Sequence, residues 1–266
     1  MLQEKAKVLF NKKAGPSYFR IGLMCHNSYA KAQPGQFIMV HLSEQKISIL
    51  PRPFSIHRLI IANGRIQGIE LLFKVVGGCT EKLSKCRRGD YLDILGPLGR
   101  GFIIPDKYQR IFIVSGGIGV APLFFLASSL LAKIADPSTC RLFIGGRSKH
   151  DILCTDDFSE LDITISIATD DGSLGKKGLV TDLLETGIKE NPPDIICACG
   201  PVAMLGSVAR IAERYSVPCQ VSIETIMACG IGACLGCAVK SKKGLDKYLH
   251  ACVDGPVFDA TALKIW

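Results

Sequence analysis

Met227-Ala-Cys-Gly-Ile-Gly-Ala-Cys-Leu-Gly-Cys237 is the stretch of the chain richest in chemistry, and Cys252 completes it. Four residues separate Cys229 from Cys234, two separate Cys234 from Cys237, and fourteen lie between Cys237 and Cys252. Thiolates so spaced can converge on one centre, and C-x4-C-x2-C with a distant fourth cysteine is the plant-type 2Fe–2S spacing. Gly230, Gly232 and Gly236 lie between the sulfurs. Without a Cβ they let the backbone curl tightly and aim N–H groups at an anionic core. A structural zinc site and a disulfide pair are the competing readings. Zinc loops favour paired C-x2-C units, and Cys252 has no near partner in the sequence, so iron–sulfur is preferred.

Four further motifs could hold anions or aromatic rings. Ser115-Gly-Gly-Ile-Gly-Val-Ala-Pro122 sits where an apolar strand passes into an apolar helix. Such a junction points helix N–H groups and the positive dipole end at an anion. Gly116, Gly117, Gly119 and Pro122 do not have GxGxxG spacing, and a tight packing turn is the alternative. Cys199-Gly200-Pro201 ends a later strand, where Cys199 either meets a nicotinamide ring or is a small buried residue. Arg52-Pro53-Phe54-Ser55 follows a strand; arginine forks onto phosphate and serine adds a hydroxyl, although Arg-Pro in a turn is usually only a turn. Gly77-Gly-Cys79-Thr80, with Lys74 just before it, reads as a phosphate nest or a hairpin turn. Asp170-Asp-Gly-Ser173 reads as a polar loop, and the histidines, His26, His41 and His57 among them, show no ligand spacing. No Ser/His/Asp triad is visible.

The elements that must position these groups change character along the chain. Residues 35–42, 68–76 and 90–95 are short strand-like runs bounded by turns, with no strongly helical segment between them, so the first hundred residues predict an antiparallel barrel or sandwich. Gly96-Pro-Leu-Gly99 and Pro105 mark a boundary. Beyond residue 107 strand and helix alternate. Strands are expected at Ile111–Val114, Leu142–Ile144, Ile163–Ala168, Ile195–Ala198 and Val221–Ile223, with helices at Val120–Ile134, Val180–Glu190 and Val202–Tyr215. Alternation predicts a parallel sheet with right-handed crossovers and ligands at the carboxyl ends of its strands. The domains expected are residues 1–106, 107–218 and 219–266.

Composition narrows the classes. The 266 residues are 48% hydrophobic and 21% charged, which suits packed domains and argues against disorder. The formal charge of +8 is spread along the chain without a dense basic, aromatic-rich block, which argues against nucleic-acid binding. Residues 111–132 carry no charge, but Gly116, Gly117, Gly119 and Pro122 interrupt them, so a strand, a loop and a buried helix are expected rather than a membrane span. The amino terminus, Met1-Leu-Gln-Glu-Lys-Ala-Lys, has no apolar signal segment. Cys25, Cys86, Cys140 and Cys197 then read as small buried hydrophobes in a reducing cytoplasm.

In this order the motifs resemble the ferredoxin–NAD(P) reductase superfamily, and within it the electron-transfer subunits of NAD-linked (type B) dihydroorotate dehydrogenases. The resemblance runs from about residue 5 to Phe258. The cysteine loop and Cys252-Val-Asp-Gly-Pro-Val-Phe258, placed after Cys-Gly-Pro, carry most of it. It implies an FAD-binding barrel, an NAD-binding α/β domain and a 2Fe–2S module. FAD contacts would fall on Arg52, Pro53, Phe54 and Ser55, on Leu72, Phe73 and Lys74, and on Cys79 and Thr80. Here Gly-Gly-Cys-Thr stands where Gly-x-Gly-Thr is usual, which places the Cys79 side chain beside the expected flavin phosphate. The loop with Gly116, Gly117, Gly119 and Pro122, and Cys199, Gly200 and Pro201, would meet NAD(H); Cys229, Cys234, Cys237 and Cys252 would hold the cluster.

The resemblance also implies a relay. Nicotinamide moves two electrons as a hydride, a 2Fe–2S cluster carries one, and a flavin between them accepts a pair and releases single electrons. The implied partner is the FMN-containing catalytic subunit that oxidises dihydroorotate for pyrimidine biosynthesis, in a hetero-oligomer. No residue here suggests a base for that substrate chemistry. A related reductase subunit serving a hydrogenase, a ferredoxin or a transhydrogenase-like complex, and a non-catalytic zinc-binding protein, are the alternatives. Arg147 and Lys149, after the second parallel strand, could reach a ribose 2′-phosphate, although the resemblance favours NADH over NADPH.

Overall fold

The computed structural model describes residues 1–42, 50–132, 134, 136–242, 244 and 247–264. In chain order the strands and helices of the first part are β1 (Leu2–Lys13), β2 (Tyr18–Met24), β3 (Phe37–His41), β4 (Arg52–Ala62), β5 (Arg65–Lys74), α1 (Gly78–Lys85) and β6 (Tyr91–Leu98). The strands close into an antiparallel barrel in the order β1-β2-β5-β4-β3-β6. β6 shows why: its residues alternate between inside and outside, so Leu92 and Ile94 enter the barrel core with Val8, Ile21, Ile38 and Ile69, while Leu98 at its end packs toward Met39 and the cysteine loop.

Several barrel expectations need correction. β1, β2 and β4 were not anticipated; in β1 only Ala6 and Val8 are fully buried, and its lysines mask the alternation. Arg52-Pro53 opens β4 rather than a free turn, with Pro53 opposite Met39. The strand expected over 68–76 ends at Lys74. A helix does lie between the strands: Gly77-Gly-Cys-Thr80 is the start of α1, not a hairpin turn.

The second part runs β7 (Ile111–Gly116), α2 (Val120–Leu131), β8 (Cys140–Gly146), α3 (Thr155–Ser159), β9 (Thr164–Thr169), β10 (Lys176–Lys177), α4 (Val180–Glu190), β11 (Ile195–Cys199), α5 (Val202–Arg214) and β12 (Cys219–Ser222). The remainder adds β13 (Ala238–Lys240), β14 (Tyr248–His250) and β15 (Val257–Asp259). α2 stops at Leu131; residue 133 of its expected extension to Ile134 lies outside the described residues, as do 43–49 of the expected first domain, 135 of the second, and 243, 245, 246, 265 and 266 of the last. One sheet is ordered β10-β9-β8-β7-β11-β12-β15, parallel except for β15. Every residue of β7 is buried, as a central parallel strand requires. Phe112 and Val114 face α4 and α5, whereas Ile111 and Ile113 pack with α2 and with Phe158 of α3. The sheet runs past residue 218: β12 and β15 belong to it, so a boundary at 218/219 would cut between hydrogen-bonded strands.

Candidate functional site

A cleft of about 410 Å³ opens between the barrel and the sheet, within the usual range for ligand sites. The barrel contributes Arg52, Pro53, Phe54 and Ser55 from the start of β4 and Leu72, Phe73 and Lys74 from the end of β5. Val76, Gly77, Gly78, Cys79 and Thr80 at the start of α1 complete that side. Leu72 and Phe73 are buried, with Phe54 edge-on to Phe73 at 5.9 Å. The Arg52 guanidinium donates back to Leu50 O at 3.0 Å and Pro51 O at 3.3 Å.

Thr80 holds the start of α1. Its Oγ1 accepts from Val76 N at 2.9 Å and Gly77 N at 3.1 Å and donates to Gly77 O at 2.9 Å. A Cβ added at Gly77 or Gly78 would meet nothing, so these two glycines leave backbone open toward the cleft instead of relieving a clash. Cys79 lines the cleft without closing it, and the helix start supplies N–H groups for an anion.

Across the cleft stand Ile118, Ala121 and Pro122 with Cys199. The glycines of the two motifs serve their mutual approach. A Cβ on Gly119 would lie 2.2 Å from Cys199 O, one on Gly116 2.8 Å from Pro201 Cδ, and one on Gly200 3.0 Å from Gly116 N. Gly116, Gly119 and Gly200 therefore stand behind the wall, whereas Gly117, at φ +53°, has open space around it and Pro201 is exposed; none of the five lines the cleft. Burial, reinforced by the Glu224 carboxyl, pushes the Cys199 thiol well up, so it stays neutral.

The last side of the cleft was not anticipated. Ser222, Ile223, Glu224, Thr225 and Met227 line it, and five residues after Glu224 the chain reaches Cys229. Met227 is buried in one core with Met39, Leu98, Cys237 and Cys252. Glu224 is exposed to the open cleft, yet protein atoms crowd its carboxyl and burial raises its pKa. The expected strand Val221–Ile223 ends at Ser222 in β12, and the stretch from Glu224 to Met227 has no helical or strand period, so nothing in the sequence distinguishes it from a linker.

The cysteine loop brings its sulfurs together as pairs. Cys237 Sγ lies 3.2 Å from Cys252 Sγ, too far for a disulfide bond, and all twelve cysteines are free. Gly232 N donates to Cys252 Sγ at 3.2 Å, while Ile231 N and Cys234 N donate to Cys229 Sγ at 3.5 and 3.4 Å. Gly230 (φ +73°) and Gly232 (φ +81°) adopt left-handed backbone, and a Cβ on Gly230 would also strike Met39 Cγ at 2.5 Å. Burial pushes the Cys229 thiol up, but the N–H groups of Ile231 and Cys234, the Cys234 thiol and the Ala233 N–H outweigh it and bring it down to about 6. Burial and the neighbouring Cys237 push Cys252 up to about 12. Among the described residues no three His, Cys, Asp or Glu side chains converge on a single point. A donor set of two sulfur pairs, cradled by amides, fits a two-iron centre better than one tetrahedral ion.

Arg147 and Lys149 follow β8 as expected, but Arg147 Nε is engaged by Asp151 at 3.2 Å. Asp170-Asp-Gly-Ser173 is a turn: Asp171 accepts from Ser173 N at 2.8 Å, and Ser173 Oγ accepts from Lys149 N at 2.7 Å. Cys140 and Cys197 are buried as expected, whereas Cys25 and Cys86 are half-buried.

Comparison with known proteins meets this geometry at both ends. Residues 224–264 match the model of the iron-sulfur cluster binding domain of dihydroorotate dehydrogenase B, and residues 113–210 match an oxidoreductase NAD-binding domain. The dihydroorotate dehydrogenase B (NAD(+)) electron transfer subunit of Desulforamulus reducens is 39% identical over 95% of each chain. The chain belongs to that family. The Listeria monocytogenes member is 35% identical over the full length of both chains. The structure of an NADH-dependent reduced ferredoxin-NADP oxidoreductase superposes with a TM-score of 0.84 at 28% identity, covering 97% of this chain and 89% of that one. A Neisseria gonorrhoeae ferredoxin NADP+ reductase with bound FAD and NADP shares the fold alone, at TM-score 0.65 and 17% identity over 80% of this chain and 91% of its own. As a family member, the chain is an electron-transfer oxidoreductase subunit of ferredoxin reductase-like fold.

Proposed function

We propose that the chain relays electrons between NAD(H), FAD and a 2Fe–2S cluster, to or from a dihydroorotate dehydrogenase catalytic subunit. The observation that carries this reading is the shared wall: Ser222–Met227 line the cleft and lead directly into Cys229. A ring in the cleft and a cluster on the cysteines would thus be separated by one short segment of chain. The flavin supplies the conversion between hydride and single electrons. Arg52 and the start of α1 hold its phosphates, Phe54, Leu72 and Phe73 form its apolar bed, and Ser55 offers a hydroxyl. Cys199, Ile118 and Pro122 face the nicotinamide, and Gly117 is the loop glycine open to a nucleotide. Cys229 with Cys234, and Cys237 with Cys252, hold the cluster as two pairs. NADH is the preferred nucleotide, supported by the NAD(+) in the relatives' names.

The barrel comprises residues 1–106. The division into 107–218 and 219–266 describes function, with the cluster module sharing the sheet through β12 and β15. No helix of the described residues is long and apolar enough to cross a membrane. Twelve unbridged cysteines support a reducing, cytoplasmic location.

Anaerobic purification tests the reading: flavin bands with iron–sulfur shoulders are expected, and a colourless protein with stoichiometric zinc would reject it. Arg52→Ala is expected to raise the FAD dissociation constant about tenfold, the scale of one charge-assisted hydrogen bond. An unchanged constant, measured by flavin release, would remove that contact.

A further inference from the structure

Two carboxylates of the segment between β8 and β9 cross the seam between the barrel and the sheet. Asp157, in α3, sits between Arg58 at 2.6 Å and Arg20 at 3.0 Å, and Arg20 also pairs with Glu70. That cluster is an ionic anchor away from the cleft. Asp151 is placed differently. It is buried, and three donors share its carboxylate. Oδ1 accepts from the Tyr18 hydroxyl at 2.6 Å and lies 3.5 Å from Lys74 Nζ, while Oδ2 takes Arg147 Nε at 3.2 Å. Tyr18 and Lys74 belong to the barrel, and Arg147 belongs to the loop after β8.

These four residues, with Ser148 and His150, surround a second recess of about 340 Å³. Lys74 lines both this recess and the main cleft. The recess lies at the carboxyl end of β8, beside the switch point between β7 and β11 where ligands of open α/β sheets bind. Its cations, Lys74 and Arg147, suit a phosphate-bearing ligand. Arg147 is largely exposed, and long cationic side chains lose much rotamer freedom when a ligand fixes them. A buried carboxylate that already holds both cations removes part of that cost from the binding step.

We propose that Asp151 is a positioning residue for the phosphates of the pyridine nucleotide: it strings Lys74 and Arg147 across the seam, on two edges of one recess, and so ties nucleotide binding to the docking of barrel and sheet. This rests on the reading that NAD(H) binds at the carboxyl ends of the strands. The sign of the effect separates positioning from charge. Removing a carboxylate makes the recess more positive, so a purely electrostatic role predicts that Asp151→Asn binds an anionic nucleotide more tightly. Positioning predicts weaker binding.

The test uses the flavin- and cluster-loaded protein, with NAD+ binding measured by calorimetry and flavin reduction by NADH measured kinetically. Asp151→Asn is expected to weaken NAD+ binding and raise KM about tenfold with little change in kcat, the pattern of lost uniform binding. Asp151→Glu should recover part of the loss. Asp157→Asn, which loosens the other anchor, should lower the melting temperature and leave KM unchanged. Should Asp151→Asn fail to fold, Arg147→Ala at its exposed site gives the same reading: weaker NAD+ binding at an unchanged melting temperature. Tighter or unchanged binding in these variants, or an equal KM rise in Asp157→Asn, would overturn the proposal. A wild-type protein that binds no NAD+ would instead reject the nucleotide reading beneath it.

Discussion

The turn after β7 and the cysteine loop are both glycine-rich, yet their glycines do different work. In Gly116-Gly-Ile-Gly119 the outer glycines make room: Gly119 and Gly116 allow β7 and α2 to press against Cys199-Gly-Pro201. In Cys229-Gly-Ile-Gly-Ala-Cys234 the glycines set direction, because left-handed backbone at 230 and 232 turns amides toward sulfur. The first loop brings two walls of a cleft together; the second prepares a pocket for negative charge. Glycine content alone does not separate these roles, whereas the surroundings of each absent Cβ do.

Substitution at each glycine can break the comparison, and Gly119→Ala has the largest expected effect. Its methyl group would lie 2.2 Å from a backbone carbonyl that cannot swing aside, so a loss above about 4 kcal/mol is expected in chemical denaturation, among the largest for single substitutions. Gly117→Ala, three residues from Val120 in the same turn, meets no neighbour and carries only the left-handed penalty of about 1–2 kcal/mol. Similar losses at the two sites would mean that the close approach is not what selects glycine there.

Gly232→Ala comes next. The strain at φ +81° is again about 1–2 kcal/mol, and Val253 Cγ2, at 2.8 Å, must move. The expected outcome is a folded protein with lower cluster occupancy and a more negative cluster potential, as the amide donated to Cys252 Sγ shifts. Unaltered iron content and potential would show that the loop does not depend on that amide.

The smallest effect concerns the metal-free protein. Cys229 has its pKa depressed to about 6, so its thiolate is populated above that pH and protonates as the pH falls through it. Alkylation followed by mass spectrometry should mark Cys229 ahead of the buried Cys252 at pH 7, with labelling of Cys229 fading below about pH 6. Uniform labelling of the four cysteines would contradict the amide cradle.

Much of this was legible in the sequence because the signals were local. β7 opens on an uninterrupted apolar run, Ile111–Val114, and the cysteine spacing fixes which sulfurs share a loop. What was hidden depends on distant partners or on residues that imitate punctuation. Gly77-Gly78 looks like a break and is the mouth of α1; Arg52-Pro53 looks like a turn and is the start of β4. The cleft wall beyond the last parallel strand, at 224–227, has no period, and its meaning comes from Met227 sharing one core with Met39 and Leu98 of the barrel. The seam is less legible still, since Arg20 and Asp157 are 137 residues apart. Asp151, too, reads as an ordinary loop acid until Tyr18 and Lys74 are found against it.

The central claim is the order of the relay, from nucleotide to cleft to cysteine loop, and Cys234→Ser tests it most directly. Cys234 is the exposed member of the four, so its replacement should spare the fold while removing a cluster ligand. Anaerobic titration with NADH, followed by absorbance and paramagnetic resonance, should reduce flavin and cluster in the wild type. In Cys234→Ser the account predicts that NADH still bleaches the flavin and that the cluster signal is gone. A variant that keeps the cluster signal and loses flavin reduction by NADH would contradict it.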